Sequence, residues 1–149
     1  MKNSINKSNL ELPQAPMPVG NYQAAISTNK LVFISGQLPF KDGKLIYCGQ
    51  LGKELTTEEG RQAAKMCALN ILSHIANLTP LPKLKKIIKI EGFINSHPTF
   101  TEHADVLNGA SDLLAGVLGE KAGHIRSVLG CSSLPMGASV EISAIVELE

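Results

Sequence analysis

The chain has 149 residues, which is room for one domain and one core but not for two. With 44% hydrophobic and 18% charged residues it is too apolar to stay disordered. A formal net charge of +1 provides no whole-molecule field for phosphate backbones, and 4% aromatic residues with no Trp supply a base-stacking platform poorly, so nucleic acid is a disfavoured partner.

Residues 1–12 are polar and irregular with no apolar run behind them, which predicts a flexible arm, neither a secretory signal nor a membrane span, and a cytoplasmic protein. Residues 13–149 read as a single domain. Pro13, Pro16 and Pro18 keep its first stretch extended. Residues 21–27 and 31–35 are rich in β-branched and aromatic side chains on either side of Asn29-Lys30, the pattern of a hairpin. Asp42-Gly43 signals a further turn, with a short edge strand over residues 45–48.

Thr56 and Glu59 have the spacing of a capping box, and Ala64, Cys67, Ala68, Ile71, Leu72, Ile75 and Leu78 then recur at helical period. Pro80 and Pro82 stop this helix. Residues 85–96 read as a strand with Ile88, Ile90, Gly92 and Ile94 on one face, and with Lys89, Glu91 and Asn95 turned to solvent or to another subunit. A second helix is predicted from Pro98 through Leu118, with Ala104, Leu107, Ala110, Leu114 and Val117 as its stripe and Gly119 as its end. Two strands close the chain, over residues 126–132 and 139–148, separated by Leu134-Pro135-Met136-Gly137.

The element order predicts an α+β layer with two helices covering one face of a mixed sheet. Two helices leave the other face bare, so self-association into a closed ring, with binding clefts between neighbours, is the expected solution.

P-loop, GxGxxG, HExxH and GxSxG patterns are absent, so nucleotide-dependent, zinc-protease and hydrolase-elbow chemistries lack their anchors. Cys48, Cys67 and Cys131 are odd in number and never paired as CxxC; they read as reduced packing residues, mostly buried. His74, His97, His103 and His124 have no metal-ligand spacing and read as solvated or capping residues, with His74 off the apolar stripe and His124 set apart by standing two residues before Arg126. Arg126 begins one C-terminal strand and Glu141 lies on the other, taken as its neighbour. An arginine among apolar residues keeps its charge and needs a carboxylate. Either the two form an internal ion pair, or Arg126 binds a substrate carboxylate in bidentate fashion while Glu141 holds a water.

Three motifs carry a resemblance. Arg126-Ser127, Leu134-Pro135 and Val140-Glu141-Ile142 have the residue types and spacing of the C-terminal signature of the Rid (YjgF) family. Ile34-Ser35-Gly36-Gln37-Leu38-Pro39 is similar to the family's Ser-Gly-Gln-hydrophobic-Pro segment, and Gly20-Asn21-Tyr22 resembles its Gly-Pro-Tyr motif. Asn21 in place of the proline, Val128 in place of a cysteine, and longer stretches after Gln37 and over residues 80–84 resemble the longer YjgF-like subgroup, often labelled endoribonuclease L-PSP.

The resemblance implies a chorismate-mutase-like α+β fold and a homotrimer with three clefts between subunits. It also implies hydrolytic deamination of enamines and imines, such as 2-aminoacrylate, to 2-oxo acids and ammonia, without metal or organic cofactor. Carried onto this sequence, Arg126 would clamp the substrate carboxylate and Glu141 would place the attacking water. Tyr22, Ser35, Gly36 and Asn108 would line the pocket, and the Val128 carbonyl would accept a hydrogen bond from the imine nitrogen. The alternative it leaves open is a trimer that binds a small carboxylate without turnover; an endoribonuclease ranks below both.

Overall fold

The computed structural model describes residues 10–149, so the predicted arm lies largely outside the described residues. Leu12 packs against the core, and the carbonyl of Pro13 accepts a 2.7 Å hydrogen bond from Ser73 Oγ.

Strands β1 (Ala25–Thr28) and β2 (Leu31–Gln37) form the predicted hairpin, with Asn29 at φ 54° in its turn. Asp42 and Gly43, both at positive φ, join β3 (Phe40–Lys41) to β4 (Lys44–Leu45), so the small hairpin forms one to three residues earlier than the strand expected at 45–48. Helix α1 (Thr57–Leu78) opens on the predicted capping box: Thr56 Oγ accepts from the Glu59 amide at 3.2 Å and Glu59 Oε2 accepts from the Thr56 amide at 2.7 Å. It stops at Thr79, ahead of Pro80.

Strand β5 (Leu84–Asn95) carries two bulges, between Leu84 and Lys86 and between Ile87 and Lys89. Each extra residue shifts the alternation by one, so Ile87 is fully buried along with Ile90 and Ile94, and Ile88 drops out of the expected row. Asn95, expected on the polar face, is buried and donates to the Ala138 carbonyl. Helix α2 (His103–Leu118) begins five residues later than predicted, because residues 97–100 close a turn in which Phe100 N–H donates to the His97 carbonyl. Ala104 is exposed, and Val106 takes its place in the buried stripe beside Leu107 and Ala110.

Strands β6 (Ile125–Cys131) and β7 (Val140–Leu148) complete a five-stranded sheet in the order β1-β2-β7-β5-β6, antiparallel except where β5 and β6 run parallel. Both helices pack on the face bearing Val32, Ile90, Ile94, Ile142 and Val146, and there the core sits. Among the described residues the other face is bare of helices. Ile26 pairs across to Phe33, Phe33 to Ile145, Ile145 to Lys89 and Lys89 to Ile125, a row that crosses all five strands. A second row runs Glu141–Phe93–Leu129. Ile125 and Leu129 are 67% and 60% exposed, which leaves apolar surface without cover among the described residues.

Candidate active site

Arg126 and Glu141 are not neighbours. β5 lies between β6 and β7, with Ile90 opposite Arg126 and Phe93 opposite Glu141. Arg126 shares the helix-covered face with Ile90, whereas Glu141, flanked by fully buried Val140 and Ile142, projects from the bare face. An ion pair within one chain is therefore excluded, which corrects the expectation that the two strands adjoin.

Glu141 forms part of the wall of a cavity of about 300 Å³ that also touches Tyr22, Ala24, Gly36, Leu38, Phe40 and Pro135. The arm supplies the remaining side through Pro16, Met17, Pro18 and Val19. A bulge in β2 between Ile34 and Gln37 bends the strand here, and Gly36 brings backbone against the carboxyl: a Cβ at that position would lie 2.5 Å from Glu141 Oε1. Burial pushes the Glu141 carboxyl above its ordinary value.

Polar side chains of α1 fasten this cavity from behind. Asn70 Nδ2 donates to the carbonyls of Leu38 and Phe40, both at 3.0 Å, and His74 Nε2 lies 3.1 Å from Gln37 Oε1. Since the Gln37 oxygen can only accept, His74 donates. His74 is thus a buried structural residue, not a solvated one; burial also lowers its pKa.

The predicted residues fall into two groups. Tyr22, Gly36 and Glu141 meet at the cavity. Ser35 is outside its lining: its hydroxyl donates to the Gln23 carbonyl at 2.6 Å and so braces the loop that carries Tyr22. Arg126, Val128 and Asn108 belong to a second place, between β6 and α2. There Arg126 NH1 donates to Ser111 Oγ at 3.0 Å and NH2 to the Ala104 carbonyl at 3.2 Å. Ala104, Asn108 and Ser111, spaced four and three residues apart, lie along one side of α2. Val128 packs against the core.

The other candidates have local roles. His97 Nδ1 caps the Thr99 amide, and His103 Nε2 lies 3.3 Å from Ser96 Oγ. Cys67 is buried and Cys131 half-buried. Burial first, and the nearby Glu141 charge second, push both thiols up, away from reactivity. Cys48 is exposed, against the expectation of burial. Among the described residues, no cluster of three or more His, Cys, Asp or Glu side chains could hold a metal, and no helix is long and apolar enough to cross a membrane.

Sequence reasoning missed Ser111 and the arm as a cavity wall. Spacing on α2 places Ser111 beside Asn108, but its contact with Arg126 depends on how α2 docks.

Three similarities bear on this geometry. The chain is 42% identical over 147 residues to protein TCP17 of Trypanosoma cruzi, covering 97% of this chain and 92% of that one. It is 25% identical over 140 residues to a 2-iminobutanoate/2-iminopropanoate deaminase of Dermatophagoides farinae, covering 94% of this chain and 95% of the relative. The crystal structure of protein Atu1372, of unknown function, from Agrobacterium tumefaciens superposes with a TM-score of 0.89 at 41% identity, over 96% of this chain and 89% of the other. The family model described as "YjgF/chorismate_mutase-like, putative endoribonuclease" matches residues 3–148, and the chain belongs to that YjgF/Rid family.

Proposed function

We propose that the protein hydrolyses reactive 2-imino acids and their enamine tautomers to 2-oxo acids and ammonia, in a site assembled from two copies of the chain. The observation that carries this reading is the separation of Arg126 from Glu141 on opposite faces of one sheet. One copy offers a carboxyl in an apolar cavity, another offers a guanidinium with donors to spare, and the apolar rows of the bare face supply a reason to associate. Association as a homotrimer, which the family resemblance implies, would place the two together. The deaminase named among the relatives supports the same chemistry.

Arg126 pairs with the substrate carboxylate and fixes the imine carbon over the neighbouring cavity. Glu141 takes a proton from water as the water oxygen bonds to that carbon, and hands it to the nitrogen. The carbon–nitrogen bond of the resulting carbinolamine then breaks, the hydroxyl proton passes to the departing ammonia, and a 2-oxo acid remains. A carboxyl raised by burial suits both proton transfers. The cavity walls at Met17, Val19, Leu38 and Phe40 fit an apolar substrate side chain.

The test follows the decay of enzymatically generated 2-aminoacrylate and of longer 2-imino acids with wild type and Arg126→Ala. Acceleration lost in the variant supports the reading. No acceleration across the panel rejects it, and tight binding of 2-oxo acids under those conditions would then identify a carboxylate-binding protein without turnover.

A further inference from the structure

Ser111 and His124 make hydrogen bonds that the proposed chemistry does not use, and they converge on Arg126. His124 Nε2 lies 2.9 Å from Ser111 Oγ, and its Nδ1 faces the carbonyl of Ala122. A carbonyl only accepts, so Nδ1 carries a proton, and in the neutral tautomer Nε2 is left as an acceptor. In that tautomer the Ser111 hydroxyl donates to His124. Its one proton is committed there, so its oxygen presents only lone pairs to Arg126 NH1, 3.0 Å away. In the neutral ring the Ala122 carbonyl thereby sets the direction of the bonds that run on to Arg126.

Arg126 NH2 is held by the Ala104 carbonyl. The guanidinium has five N–H donors, and these two contacts use two of them, leaving three where a bidentate carboxylate needs two. Arg126 stands on β6, an edge strand of the sheet. An arginine there has much rotamer freedom to lose on binding unless it is ordered beforehand.

We propose that Ser111 and His124 are positioning residues for Arg126: they pin its guanidinium to α2 before substrate arrives, with the unused donors free for the carboxylate. This inference rests on the reading of Arg126 as the carboxylate clamp. Removing the clamp abolishes orientation, whereas loosening it leaves bound substrate in the same pose but bound less often, so KM rises with little change in kcat.

Steady-state kinetics on a 2-imino acid, with calorimetric binding of 2-oxobutanoate, tests the proposal. Ser111→Ala is expected to raise KM, and the Kd of 2-oxobutanoate, about tenfold with kcat within about twofold of wild type. Ser111→Thr keeps the hydroxyl and is expected to restore both. His124→Phe keeps a ring without the acceptor and moves KM the same way; the double variant is no worse than Ser111→Ala alone, because both act through one hydroxyl. Should Ser111→Ala not fold, His124→Phe carries the test. A wild type that turns over or binds, with variants indistinguishable from it or altered in kcat alone, overturns this inference and leaves the clamp standing. A wild type that neither turns over nor binds overturns the clamp reading, and this inference with it.

Discussion

Gly36 and Glu141 are so close that a methyl group on the glycine would sit 2.5 Å from the carboxyl oxygen and 2.9 Å from its carbon. The clash is with the far end of a side chain, and Gly36 does not have a positive φ, so Gly36→Ala folds and the carboxyl moves instead. Displacement by about 1 Å is enough to cost roughly 100-fold in rate. Imine turnover by Gly36→Ala should fall by about that factor while its thermal midpoint stays near that of wild type.

Glu141→Gln separates chemistry from stability. Burial makes the folded chain hold the Glu141 proton more tightly than the unfolded chain does. The ionised carboxylate therefore costs stability, fully so above the folded pKa, and the cost vanishes as pH falls below the ordinary value of 4.5. The glutamine variant should melt above wild type at neutral pH, with the gap closing as pH drops through that window. Its turnover should fall at least about 100-fold, as loss of a general acid–base predicts.

The two helices press together at Gly109, where a Cβ would lie 2.1 Å from the Arg61 backbone carbonyl oxygen. Backbone cannot step aside as a side chain can. Gly109→Ala should cost about 3 kcal/mol in urea titrations, the upper range of overpacking. By moving α2, it should also disturb the bonds from Ser111 and Ala104 to Arg126.

What the sequence makes legible here is local. The capping box at Thr56 and Glu59, the turn at Asp42-Gly43 and the period of α1 are encoded within a few residues, and each forms where its pattern stands. Bulges in β5 are not encoded that way, so alternation counted straight through from Ile94 to Ile88 loses its phase at Lys89. Strand order is less visible still: β6 and β7 are consecutive in sequence, yet β7 inserts between β2 and β5, and that separates Arg126 from Glu141. His74 reads as polar and exposed because nothing in its neighbourhood on α1 announces Gln37 as its buried partner. The motif residues Tyr22, Gly36 and Glu141 are legible as a group, whereas the environment of Arg126 depends on the docking of α2.

The shared site is the central claim, and mixing subunits tests it most directly. Arg126→Ala and Glu141→Gln, each inactive alone, are unfolded and refolded together at equal amounts, with mixed oligomers verified by native mass spectrometry. If each site takes its arginine from one copy and its glutamate from another, random assembly leaves about one site in four intact, and activity returns to roughly a quarter of wild type. No recovery despite mixed oligomers, or a wild type that is monomeric and active, would contradict it.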